Sequence, residues 1–234
     1  MIKPEYKGLS EIEYESQQIL RSFSPAYKED LSKNIDSYEL AFDFIPDYMK
    51  SRYGNFNFET KLVKIDNQDF QILGVTSSGG IFLNQQLFDN SDSTAQRMFN
   101  WTCWHESYHA IHHYPYLKIG SSLESATREN GYNPFCWQAN TFAGFCQIPK
   151  QRLKNALLEE YNCSNFYMKR NKLYDARGKS LGDNNYFIGK DELFFHKILA
   201  RGIQKHFDCN LTPISIAIER DQVIEEKSST IICI

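Results

Sequence analysis

Along the chain, apolar positions recur with two different periods, and each change of period marks an element. Residues 9–23 set Leu9, Ile12, Ile19, Leu20 and Phe23 among Glu and Gln, a stripe that predicts an amphipathic helix ending before Pro25. Residues 35–53 keep helical spacing, with an interruption expected at Pro46. Residues 61–65, 70–75 and 80–84 then read as short strands. The turn formers Asp66-Asn67-Gln68-Asp69 and Ser77-Ser78-Gly79-Gly80 separate them, which predicts a small antiparallel sheet.

Ser91-Asp92-Ser93 offers an N-cap for a helix expected to run to about Tyr114, where Pro115 should stop it. A loop rich in Gly, Ser and Asn follows, and a helix is predicted over 134–147 with Pro134 in its first turn. A shorter helix is expected from Pro149 to Leu158. Residues 161–189 are polar and aromatic, with Gly178, Gly182 and Asp183-Asn184-Asn185, and read as a long loop or irregular hairpin. Helices over about 191–207 and 213–225 close the chain, the second with Thr212 as N-cap and Pro213 at its first position. The apolar end of the tail 228–234 suggests an edge strand. The expected class is α+β: a core over 1–160 with a small antiparallel sheet packed on helices, a connecting segment over 161–189, and C-terminal helices over 190–234 packed on the core.

Composition narrows the function classes. With 17 Phe, 14 Tyr and 3 Trp in 234 residues, the chain has ample material for a packed core. A formal net charge of −3 gives no sign of a nucleic-acid surface, and no apolar run reaches the length of a membrane span. The start, Met1-Ile2-Lys3-Pro4-Glu5-Tyr6, lacks the apolar core of a signal peptide, so a cytoplasmic location and free thiols are expected for the six cysteines. The C-terminal helix pair suggests DNA reading by position only. Between 190 and 223 its Lys190, Lys197, Arg201, Lys205 and Arg220 are balanced by Asp191, Glu192, Asp208, Glu219 and Asp221, where a DNA-reading module shows a basic excess. Direct nucleic-acid binding is not expected.

The chemistry concentrates in Trp104-His105-Glu106-Ser107-Tyr108-His109. Histidines four apart on a helix share a face, so both imidazoles can reach one metal ion. A glutamate directly after the first histidine can hold and deprotonate a water at that metal. The alternative is a pair of surface histidines with a solvated Glu.

Joined with the strand Gly80-Ile81-Phe82-Leu83-Asn84, the Arg97-Met98-Phe99 step before the motif, and Trp137-Gln138-Ala139-Asn140-Thr141-Phe142-Ala143 with Pro149 after it, the chain resembles the ImmA/IrrE-type zinc metallopeptidases over roughly residues 60–150. The resemblance implies a zincin-like fold, Zn²⁺ as cofactor, Glu106 as general base and His105 and His109 as ligands. It also implies a narrow protein substrate, often a helix-turn-helix repressor. A weaker echo at 207–220 falls where a helix-turn-helix-like segment follows in that family. Two positions depart from the pattern. Tyr108 stands where the family has Gly, and Cys136 stands where it has its third ligand, a Glu four residues before the Asn.

Cys136 admits three readings: a thiolate ligand completing His105, His109 and Cys136; a buried apolar residue in a crippled, non-catalytic protein that acts by binding a regulator; or a bystander, with Glu129 or Glu124 supplying the ligand. A thiolate keeps the charge of the glutamate it replaces. Peptide deformylases also pair this motif with a cysteine, but upstream and in a Gly-Cys-Leu context absent here. Around the motif, Asn140 is expected to orient a ligand or make a plain structural hydrogen bond. His112 and His113 are expected to pack or cap, with a hydrogen bond near the site as the alternative. Cys103 and Cys146 should turn off the metal face, and Trp101, Trp104 and Trp137 should pack the two helices together.

Overall fold

Glu and Gln alternating with Ile12, Ile19 and Leu20 give helix α1 (Leu9–Phe23) one buried stripe, and the side chain of Glu11 closes its first turn by accepting from the Gly8 N–H. The computed structural model describes residues 7–24, 36–54, 57–64, 73–118, 134–169, 172–181 and 192–226. The chain divides into two units, Met1–Gln147 and Ile148–Ile234, each with its own hydrophobic cluster.

In the first unit, Asp36 caps α2 (Ser37–Glu39) by accepting from the Tyr38 and Glu39 N–H groups. The helix then passes through a wide π turn, Leu40–Phe44, into α3 (Ile45–Tyr53). Pro46 has no N–H to give, and in a regular helix its ring would press on the Phe42 carbonyl. The wide turn, closed by the Ile45 N–H on the Leu40 carbonyl, absorbs that conflict, so the predicted interruption is a bulge and not a break.

Strands β1 (Glu59–Val63), β2 (Gly74–Ser77) and β3 (Gly80–Asn84) form one sheet in the order β1-β3-β2. β2 and β3 are antiparallel, joined by a tight turn at Ser78-Gly79, but β1 runs parallel to β3, with Glu59 opposite Gly80 and Val63 opposite Asn84. The sheet is therefore mixed, which corrects the antiparallel expectation: turn formers between strands mark a reversal of the chain but not which strand becomes the neighbour. Register is held tightly at Gly80, where a Cβ would collide with the Glu59 carbonyl oxygen. The first strand starts two residues earlier than expected; of the second, expected over 70–75, the described part runs from Gly74 and continues to Ser77.

Asn84 ends β3 buried and caps α4 (Gln85–Asp89) through its side-chain oxygen on the Gln86 N–H. The carboxylate of Asp92 accepts from the Thr94 and Ala95 N–H groups at 2.9 and 3.1 Å and starts α5 (Ser93–Lys118). These bonds hold the Asp92 carboxyl below its usual range. α5 does not stop at Tyr114 as expected. Pro115 leaves the Ile111 carbonyl without its helical donor, and the Tyr53 hydroxyl donates to that oxygen at 3.4 Å. α6 (Pro134–Gln147) buries Phe135, Ala139, Phe142 and Ala143 and lies against α5 through Trp104, 6.3 Å from the Phe142 ring. Trp104 is buried, while Trp101 and Trp137 are partly so.

The second unit begins with α7 (Lys150–Tyr161), expected with the metal-bearing core but part of this unit's cluster through Leu153, Ala156 and Leu157. Within the segment read as a loop or irregular hairpin, β4 (Phe166–Lys169) and β5 (Lys172–Asp175) pair as an antiparallel hairpin. β6 (Ile224–Glu226) joins β4 in parallel. The last helices are α8 (Glu192–Ile203) and α9 (Leu211–Arg220). α9 starts at Leu211 after Asn210 and ends at Arg220, so the helix expected to reach Glu225 gives way to a strand at Ile224. The buried Phe195, Leu199, Ile214 and Ile218 of this pair belong to the second unit's own cluster. The tail strand expected over 228–234 lies outside the described residues. Among the described residues no helix is long and apolar enough to cross a membrane.

Candidate metal centre

Spacing on α5 brings His105 and His109 to one face, with their Nε2 atoms 3.1 Å apart. Zinc–nitrogen bonds of about 2.0–2.1 Å in a tetrahedral site set two such nitrogens about 3.3 Å apart, so the pair stands at chelating distance. α6 crosses this face and delivers Cys136; one donor atom from each of His105, His109 and Cys136 lies within 4.8 Å of the others. Among the described residues no other trio of His, Cys, Asp or Glu comes together in this way. Glu124 and Glu129 lie outside the described residues.

The electrostatics suit ligands. Burial holds the His105 imidazole below its ordinary range, opposed by its hydrogen bond to the Asn140 side-chain oxygen. Burial, with His105 and His113 nearby, pushes His109 far lower. Both rings are therefore neutral at neutral pH and keep a lone pair for a metal. Nδ1 of His105 is 2.9 Å from the Asn140 Oδ1, which can only accept, so the ring's proton sits on Nδ1 and its Nε2 is left bare. The same oxygen receives the Trp101 Nε1–H at 3.3 Å. Asn140 thus makes its hydrogen bond to one of the two candidate ligands.

Glu106 is 7% exposed, and burial pushes its carboxyl up to about 7 against the opposing hydrogen bond from Thr76. The Thr76 hydroxyl reaches the Glu106 Oε2 at 2.6 Å and its backbone oxygen at 3.0 Å. A carboxyl poised near neutrality is suited to take and return a proton. Thr76 was not legible as a site residue: it lies 30 residues upstream, on β2, and nothing in its own neighbourhood marks it.

β2 can approach α5 this closely because of Gly74. A Cβ there would stand 2.6 Å from the Thr102 methyl and 3.0 Å from the Glu106 Cγ. Gly74→Ala is expected to cost about 1–3 kcal/mol by overpacking, read as a lowered urea midpoint; an unchanged midpoint would show that strand and helix separate freely.

Tyr108, at the position where a small residue was expected, is fully buried. Its ring lies 5.0 Å from Phe142 and its hydroxyl 3.2 Å from the Gln138 Oε1 and 3.5 Å from the Glu15 Oε2. α1 and α6 thus make the room that Tyr108 needs. His112 turns toward Lys7 Nζ at 3.2 Å, away from the metal trio, while His113 stands with its Nδ1 2.7 Å from that of His109. Cys103 and Cys146 are buried thiols, pushed up by burial and apart from the trio.

The chain matches no protein-family model, no curated protein and no solved structure.

Proposed function

We propose that the protein is a zinc-dependent peptidase with a zincin-like core. The reading is carried by one observation: His105, His109 and Cys136 converge from two helices into a three-donor set, directly beside Glu106 in the sequence. Three protein donors leave a tetrahedral ion one open position, which is the layout of a catalytic and not a structural zinc. Zinc in this set would supply Lewis acidity toward water and toward a scissile carbonyl, tempered by electron donation from the thiolate.

The chain's own groups account for the rest. Asn140 fixes the His105 ring so that its bare Nε2, beside that of His109, would face a bound ion. Thr76 holds the Glu106 Oε2 and leaves Oε1 to take a proton from the attacking water and return it to the leaving amine. The family resemblance points to a narrow protein substrate, a helix-turn-helix repressor being the expected class. The alternative, a non-catalytic binder that retains the fold, is favoured only by the replacement of the family glutamate by Cys136.

Metal analysis of protein purified without chelator tests the centre. About one zinc per chain is expected, with most of it lost from His109→Ala because two donors hold zinc poorly. Full retention of zinc in a variant carrying both His105→Ala and His109→Ala would remove the site.

A further inference from the structure

His113 lies one turn beyond the motif on the same face of α5, buried, with its Nδ1 2.7 Å from the Nδ1 of His109. We propose that His113 is a positioning residue for the ligand His109, and that Gln138 holds His113 in the tautomer this role requires. The inference rests on the metal-centre reading above.

Proton counting carries it. Only one proton can lie between two ring nitrogens 2.7 Å apart. A metal at His109 Nε2 uses that nitrogen's lone pair, so the proton of the neutral ring sits on Nδ1, the atom facing His113. His109 therefore donates, and His113 Nδ1 accepts. The proton of His113 is then on Nε2, its remaining ring nitrogen, and needs an acceptor in a buried setting.

Gln138 is hydrogen-bonded to His113, and with the proton of that ring on Nε2 the amide oxygen is assigned as its acceptor. The same Oε1 lies 3.2 Å from the Tyr108 hydroxyl, so both hydrogen bonds converge on one oxygen and orient the amide. The reverse arrangement would put a proton on His109 Nε2, pointing at His105 Nε2 only 3.1 Å away, where a shared ion could not sit.

The assignment gives α6 a further task. Within five residues it carries Cys136, Gln138 and Asn140: one donor, and one acceptor acting on each histidine, directly for His105 and through His113 for His109. A carboxylate is the commoner partner for a ligating histidine. Here a neutral imidazole takes its place, so a thiolate at Cys136 would be the donor that brings negative charge to the site.

A purely structural role for His113 is the competing account, since its ring lies 4.5 Å from that of Phe135. Two substitutions separate them. His113→Leu fills the space without an acceptor, whereas His113→Asn gives up the ring and keeps an oxygen near the Nδ1 position. Competition titration of the full chain with a chromophoric chelator should show zinc affinity weakened about 10–100-fold in His113→Leu and largely kept, within a factor of about three, in His113→Asn. Parent-like affinity in His113→Leu overturns the proposal, as does an equal loss in both variants or a greater one in His113→Asn.

If His113→Leu fails to fold, long-range ¹⁵N–¹H spectra of the unmodified zinc-loaded protein decide. A proton on Nδ1 of His109 and on Nε2 of His113 is expected; His113 protonated on Nδ1 overturns the proposal. A parent protein that binds no zinc in the titration would instead sink the metal centre itself.

Discussion

Glu106→Gln is expected to leave the fold and the zinc in place while cleavage of the cognate protein falls by about two to four orders of magnitude, the usual worth of a general base. The two side chains have nearly the same volume, and an amide oxygen can still receive the Thr76 hydroxyl that holds Oε2 at 2.6 Å. What the amide cannot do is take up a proton. In the parent, burial has already lifted this carboxyl to about 7, where it can do so near neutral pH and give the proton back. The measurement pairs metal content with the rate of substrate cleavage. A Gln variant that holds zinc and cuts, or acts in cells, as well as the parent would mean that the protein works by binding.

Cys136→Ser should weaken zinc binding by more than the roughly 10–100-fold that an outer hydrogen-bonding partner is worth, because a neutral hydroxyl replaces a charged donor. Cys136→Glu should restore it, since a carboxylate returns the same charge. Cobalt offers a direct readout: thiolate-bound Co²⁺ gives an intense near-ultraviolet charge-transfer band, expected in the parent and absent from Cys136→Ser. Persistence of that band in Cys136→Ser would exclude the thiolate and redirect attention to Glu129 or Glu124. Alkylation gives a second view. Cys103, Cys146, Cys163 and Cys209 are buried, whereas Cys136 is partly exposed, so removing the metal should open Cys136 to reagent well ahead of those four.

The helices and the histidine pair were legible because their signals are local. Asp92, Pro134 and the apolar stripes announce where helices begin, and four-residue spacing places His105 and His109 together without knowledge of anything else. Cys136 was reachable only through resemblance, since nothing in its own segment says that α6 crosses the face of α5. The direction of β2 against β3 was legible from the turn formers between them, but that of β1 was not: it lies parallel to β3, and alternation carries no trace of that. The same limit hid the second unit's sheet, where β4 pairs with β6 from more than 50 residues away. Pro115 misled for a different reason. Its missing N–H is a local fact, but the Tyr53 hydroxyl that makes up for it comes from another helix.

The wide turn at Leu40–Phe44 also sets a rotational phase. Each residue of a regular α-helix advances the side-chain direction by about 100°. In an unbroken helix, Pro46 would then point about 180° away from Ser37, and Met49 about 120° away. Yet Ser37, Leu40, Ala41, Ile45, Pro46 and Met49 are all buried. One surplus residue in the coil subtracts a single step and swings the later positions back into line with the earlier ones. The helix behaves as two segments clocked by one tooth, and the offset lets a chain whose apolar stripe has drifted keep a single side against the core.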